Sequence, residues 1–327
     1  NLGWFGDFTD KVVRRYKDVI GHWEMWNEPY GWGFWAGTAE EYVELERLGF
    51  LAAKQADPAC RVVGMCVYPG VRDWIEAAVA AGGLRWMDIL SFHVYLTPSL
   101  VSIGDSGRSP LEDMVLYLCS LLREAGRADT PIWDTEGGVG CPSFYSWLPP
   151  DGWSVSSQDA ASTVVKACAQ LMGQGVEKWF YYFVGFSQGG SNSYYRMNNI
   201  SYVEMDIDGS PKATLLAHAA AARLLDERPF VSRIVARGWT AYVFDDRGKG
   251  LAVVWARQEN GSHPTELLDL GSVVGPVEVI DLMGRSKGSM SAIELDVTPV
   301  YLRSTASPTA LAKALRGIAQ RGDRSAR

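Results

Sequence analysis

The chain has 327 residues, 47% of them hydrophobic and 21% charged, enough for one large domain and a smaller one. Its 31 Lys and Arg against 38 Asp and Glu give a net charge of -7 with no basic stripe, which argues against a nucleic-acid partner. No stretch approaches the ~20 consecutive apolar residues of a membrane-spanning helix, so no membrane partner is expected either.

In chain order, the pattern predicts a helix over 8–20 and a short strand over 22–26 that runs into Asn27-Glu28-Pro29. Thr38 with Glu41 three residues on forms a capping box that opens a helix to about residue 56. A strand over 61–67, a helix over 71–81 and a strand over 89–95 follow. Next come a helix over 111–125, a strand over 131–136 and a helix over 158–173. An aromatic strand over 178–186 and an Ala/Leu-rich helix over 211–226 close the series. Strands of 5–8 residues separated by helices argue for βα units on a parallel sheet, and near-continuous apolar strands fit a sheet covered on both faces. No GxGxxG follows a strand and no GxxxxGK[ST] occurs, so a nucleotide-binding doubly wound sheet lacks its signature.

After Pro229 no helix interrupts the predicted strands over 239–244, 251–257, 276–281 and 293–301, with a hairpin turn over 245–250. The expected division is therefore a parallel α/β domain over 1–228, an antiparallel β-domain over 229–303 and, over 304–327, an Ala-, Ser- and Arg-rich flexible tail or marginal helix. Five cysteines form no CxxC pair and read as buried small hydrophobes. The four histidines are scattered without metal-ligand spacing, so neither a metal nor a cofactor is expected. Asn1 is not an initiator methionine; sequence upstream is expected, and the compartment stays open between secreted and cytoplasmic.

Two glutamates sit where predicted parallel strands end, the end at which such folds build their sites: Glu28 before Pro29, and Glu136 before Gly137-Gly138. They are 108 residues and three strands apart. Trp26-Asn27-Glu28-Pro29, followed about a hundred residues on by a strand-end glutamate, resembles the clan A glycoside hydrolases, nearest in layout to family 39 or family 5. The run from Asp208 to Lys212 and the trailing β-domain are similar to members of that clan as well.

The resemblance implies a retaining glycosidase on a (β/α)8 barrel, with Glu28 as acid/base after strand 4 and Glu136 as nucleophile after strand 7. It implies a β-linked oligo- or polysaccharide or glycoside as substrate. Retention needs two carboxyls ~5–5.5 Å apart, and Glu28 must hold its proton where Glu136 has lost it. By the same resemblance Asn27 would bind the sugar 2-hydroxyl, and His93 and Tyr95 would line the sugar site and touch the nucleophile. Trp179, Tyr181 or Phe183 would lie under the sugar. Trp32 and Trp35 read equally as sugar platforms or loop anchors, and Asp134 as buried support. Asn27 and Glu28 are adjacent, so aiming both inward predicts a bulge or bend there.

Counting the Asn-Glu-Pro strand as the fourth, the chain is expected to lack about the first three βα units. They would lie upstream or come from another chain, with self-association or a partner as the consequence. A third reading is a non-catalytic remnant that binds carbohydrate without cleaving it. Thirteen tryptophans, eleven of them before residue 190, suit a hydroxyl-rich ligand, because indole joins a flat apolar face to a polar handle.

Overall fold

The computed structural model of the chain describes residues 2–31, 33–142, 155–185, 202–206, 208–257, 265–271 and 274–325. Its first five strands are β1 (His22–Glu24), β2 (Arg61–Val67), β3 (Ile89–Leu96), β4 (Ile132–Val139) and β5 (Val176–Tyr181). They lie side by side in sequential order 1-2-3-4-5, with parallel pairing, the strand arrangement of a (β/α) barrel arc. The fold class is the expected one, α/β followed by antiparallel sheet.

Local chemistry sets the connecting helices. α1 (Gly3–Tyr16) precedes β1, and α2 (Ala39–Ala56) begins at the predicted capping box: Glu41 N–H donates to the Thr38 side chain while the Glu41 carboxylate accepts from Thr38 N–H at 2.9 Å. α3 (Arg72–Ala80) and α4 (Pro110–Glu124) form the next two crossovers. Val13 of α1, Ala53 and Ala56 of α2, Val62 of β2, and Met25 and Cys60 beside the strands form one apolar cluster, joined by Phe5, Trp23 and Phe50. This sheet, α1–α3 and most of α4 make up one compact unit.

A second compact unit holds α5 (Ser157–Gly173), α6 (Ala213–Leu225), α7 (Pro308–Ser325) and the antiparallel strands. Six of those strands order as β11-β10-β13-β8-β7-β6, and β12 pairs with β9. They are β6 (Phe230–Val235), β7 (Trp239–Asp246), β8 (Lys249–Ala256), β9 (Glu266–Asp269), β10 (Val277–Ile280), β11 (Ser286–Met290), β12 (Ala292–Leu295) and β13 (Val300–Arg303). Alternation along β7 and β8 splits their side chains between two cores. Ala241, Val243, Ala252 and Val254 face Leu311 and Leu315 of α7; Tyr242, Phe244, Val253 and Trp255 face Ala161, Val165, Ala217 and Ala221 of α5 and α6. The predicted hairpin joins β7 to β8 through Arg247 and Gly248, both at positive φ.

Several expectations need correction. The aromatic strand starts at Val176 and stops at Tyr181, not 178–186, because the chain then leaves the sheet: Phe183 N–H donates to the Tyr202 carbonyl and Glu204 N–H to the Phe183 carbonyl. The segment 293–301 is two strands, β12 and β13, and β6, β9 and β11 were not anticipated. Of the two readings of residues 304–327, the helix holds over Pro308–Ser325 in place of a flexible tail. Ser307 caps α7, and Leu311, Ala312, Ala314 and Leu315 are buried against the sheet. The expected divide near residue 229 falls inside the second compact unit, since α5 and α6 pack on β7 and β8.

Candidate active site

The site is assembled at the C-terminal ends of β1 to β5, within the first compact unit. β1 ends at Glu24, and the chain beyond it passes through two left-handed residues, Trp26 at φ 86° and Glu28 at φ 45°. This is the bend that the adjacency of Asn27 and Glu28 predicts. On β2 the pairing with β3 slips between Gly64 and Val67, so Met65 and Cys66 together stand opposite Ser91; their φ values are 75° and 43°. Such backbone costs about 1–3 kcal/mol per residue and persists only where its surroundings hold it.

β4 carries a similar slip. Asp134 pairs with Trp179 and Gly137 with Tyr181, leaving Thr135 and Glu136 opposite Phe180. Glycine is required at 137, where a β-carbon would run into the Val94 carbonyl oxygen. Between these two bulged strands, β3 presents His93 and Tyr95, two residues apart and therefore on one side.

His93 is the hub, with 3% of its surface exposed. Its Nδ1 lies 2.9 Å from Glu28 Oε1 and 3.9 Å from Glu136 Oε2. The Tyr95 hydroxyl donates to Glu136 Oε1 at 2.6 Å. A carboxylate oxygen of Glu28 and one of Glu136 lie within 4.8 Å of each other. A carboxylate facing Nδ1 requires the ring proton there, so in neutral His93 the Nε2 lone pair faces the Cys66 sulfur, 3.2 Å away. The Glu28 backbone N–H in turn donates to that sulfur at 3.4 Å.

The electrostatics follow from these contacts. The His93 hydrogen bond holds the Glu28 carboxyl below the usual carboxylate range; burial opposes it, and the Tyr30 hydroxyl adds a further hydrogen bond in the same direction as His93. That direction is the reverse of what a general acid needs. Burial, then the charge of Glu24, pushes the Cys66 thiol up and keeps it protonated. Asp134 is fully buried, and burial raises its carboxyl well above the usual range, which fits buried support.

Two groups, Glu28–His93–Glu136 and Glu24–Cys66–His93, are each compact enough to share one ion. The scattered histidines of the sequence give no sign of either. In the first group the 2.9 Å contact is that of a hydrogen bond between His93 and Glu28, which already engages Nδ1.

The structure thus brings Glu28, Glu136, His93 and Tyr95 together, with Asn27 beside them; its Oδ1 is 3.9 Å from the Cys66 sulfur. Trp179 and Tyr181, their rings 5.6 Å apart, sit on β5 beside the bulge that carries Glu136. Trp35 is anchored in its loop: its Nε1–H donates to the Thr38 carbonyl at 3.0 Å, and its ring packs edge-on against Trp26 and Tyr42. Trp32 lies outside the described residues. Sequence reasoning missed Tyr30 and Cys66. Tyr30 follows Glu28 by two residues and could have been flagged; Cys66 is hidden in an apolar strand and gave no signal.

No protein-family model matches the chain, and no curated protein matches it. Solved structures do. A family 39 glycoside hydrolase from the gut symbiont Bacteroides cellulosilyticus superposes with a TM-score of 0.65 at 21% identity, over 90% of this chain and 60% of that one. A family 39 β-xylosidase from Caulobacter crescentus gives 0.57 at 17% identity, over 92% and 72% of the two chains. A family 30 endoxylanase from Clostridium papyrosolvens gives 0.57 at 11% identity, over 93% and 71%. The chain spans about 60% of the length of the first of these. At these identities it is the fold that is shared, and the fold is that of family 39 and family 30 glycoside hydrolases.

Proposed function

We propose that this chain carries the catalytic pair of a retaining β-glycoside hydrolase. One observation carries the reading: two strand-end carboxylates, Glu28 and Glu136, meet at one buried histidine with oxygens within 4.8 Å. An oxygen pair that close suits the ~5–5.5 Å carboxyl spacing of retaining enzymes better than the ~6.5–9.5 Å that an inverting enzyme needs to admit water.

In this mechanism Glu136, held by the Tyr95 hydroxyl, attacks the anomeric carbon as the bond to the leaving oxygen breaks. Glu28 gives that oxygen its proton, and a glycosyl ester on Glu136 results. Glu28, now a carboxylate, takes a proton from water; the water oxygen bonds to the anomeric carbon and Glu136 leaves as carboxylate. Asn27 binds the 2-hydroxyl, His93 orients both carboxylates, and Trp179 and Tyr181 supply aromatic surface for the sugar. Because the similar structures include a β-xylosidase and an endoxylanase, β-xylosides are the first substrates to try.

A second reading, saccharide binding without turnover, is favoured by the His93 hydrogen bond, which draws the Glu28 carboxyl below the usual range, away from what a general acid needs. Proton NMR of the first-formed product separates the two. The proposal expects a β-anomer from a β-xyloside; an α-anomer would overturn retention, and binding without any product would favour the second reading.

A further inference from the structure

Glu46 of α2 is fully buried, yet it belongs to none of the contacts of the catalytic pair. Its Oε1 accepts the Met65 backbone N–H at 2.7 Å and the Tyr42 hydroxyl at 3.2 Å. Met65 and Cys66 are the two left-handed residues of the β2 bulge, and side chains accept both of their N–H groups. Glu46 takes the first of these N–H groups. The Ser91 hydroxyl takes the second at 3.2 Å and donates to the Gly64 carbonyl at 3.0 Å, closing the bulge from the other side. Gly64 is needed for the approach, because a β-carbon there would collide with Glu46 Oε1.

What the bulge presents is Cys66. Its sulfur meets His93 Nε2 at 3.2 Å and accepts the Glu28 N–H at 3.4 Å, touching both the backbone and the side-chain partner of the acid/base. The Tyr42 hydroxyl is also 3.4 Å from the Met25 carbonyl, just before left-handed Trp26. One face of α2, Tyr42 and Glu46 at i and i+4, therefore reaches both strained segments of the site. Burial pushes the Glu46 carboxyl up to about 8, so the group is a neutral acceptor through most of the neutral range, and an amide can replace it.

We infer that Glu46 is a positioning residue: by holding the Met65–Cys66 bulge it sets Cys66 against His93 and the Glu28 backbone, and so fixes where the acid/base carboxyl stands. The inference rests on the glycosidase reading for its consequence in catalysis, but the chain of contacts can be tested apart from it.

The first readout is native-state alkylation of the full chain by iodoacetamide, followed for each cysteine by peptide mass spectrometry. Glu46→Leu keeps the volume and removes the acceptor; Cys66 should react at least tenfold faster than in the wild type. Glu46→Gln should stay within twofold, and the other four cysteines should not change. Unchanged Cys66 protection in Glu46→Leu, or a rise at all five cysteines together, overturns the inference. If Glu46→Leu does not fold, Ser91→Ala opens the same bulge from its other side and must expose Cys66 likewise.

The second readout is leaving-group dependence. Loss of acid catalysis harms glycosides whose leaving group needs a proton and spares those whose leaving group does not. Glu46→Leu should lower kcat/KM for an alkyl xyloside 10- to 100-fold and for a dinitrophenyl xyloside less than threefold, and Glu46→Gln should restore both. Equal losses on the two substrates contradict positioning of the acid/base. If Glu28→Ala itself lacks this selectivity, the glycosidase reading fails, and the alkylation result still decides whether Glu46 holds Cys66 in place.

Discussion

Tyr95→Phe removes one hydrogen bond and leaves the ring in place, which makes it the cleanest probe of Glu136. The Tyr95 hydroxyl donates to Glu136 Oε1 at 2.6 Å, within the ~2.5–2.7 Å range of a hydroxyl bonded to a carboxylate. Hydrogen bonds to charged groups contribute about 1.5–3 kcal/mol. The Glu136 side chain is 25% exposed, so water replaces part of the lost bond and the lower half of that range applies. About 1.5–2 kcal/mol of lost orientation is a fall in kcat of roughly 10- to 30-fold, at 1.36 kcal/mol per decade. KM should change by less than about threefold, since the hydroxyl's proton is engaged by the Glu136 carboxylate. A nucleophile attacks whatever the leaving group, so the loss should be equal for dinitrophenyl and alkyl xylosides, the opposite of the pattern expected on the acid/base side. Steady-state kinetics on both substrates measures this. Activity within about twofold of wild type, or a loss confined to the poor leaving group, would refute the assignment of Glu136 to attack.

Two further predictions concern Glu28 and α7. His93 depresses the folded-state titration of Glu28, so it contributes stability that is present above the unfolded carboxyl value and is lost as pH falls through the lower folded one. His93→Asn keeps a donor near Nδ1 and His93→Leu does not, and neither variant titrates. Urea unfolding should find His93→Leu less stable by about 1.5–3 kcal/mol at pH 7, the gap closing as the solution is acidified through the Glu28 titration; a gap independent of pH would contradict the pairing. Leu311→Ala should cost about 2–5 kcal/mol because Leu311 is buried in the core that α7 shares with β7 and β8, while exposed Lys313→Ala stays within about 0.5 kcal/mol. Equal, negligible effects in denaturant titration would mean that α7 adds nothing to the fold.

The parallel strands and the four central site residues were legible because each carried a local mark. Asn27-Glu28-Pro29 and Glu136-Gly137-Gly138 put a carboxylate where a strand must break, and His93 and Tyr95 share a face by period alone. The capping box at Thr38 fixed the start of α2 to the residue. What was not legible lacked such marks. Nothing about Met65 or Cys66 announces a left-handed backbone, since the conformation is held by Ser91 and Glu46 on other elements. The aromatic run past Tyr181 keeps its alternation while the backbone turns to meet residues 202–204, so no pattern marked the strand end. The stripe of Leu311, Ala312 and Leu315 was masked by the Arg and Ser around it, and β9 and β11 are too short and exposed to show a period.

The most direct test of the proposed catalytic pair uses Glu136→Ala and Glu28→Ala, with azide rescue on a dinitrophenyl β-xyloside. On an alkyl β-xyloside, which needs both groups, each substitution alone should slow turnover at least 100-fold. Azide should then restore the two with opposite stereochemistry: α-xylosyl azide from Glu136→Ala, where azide replaces the nucleophile, and β-xylosyl azide from Glu28→Ala, where it replaces the activated water. Activity that survives both substitutions, or the same azide anomer from both, would contradict the roles given to Glu28 and Glu136.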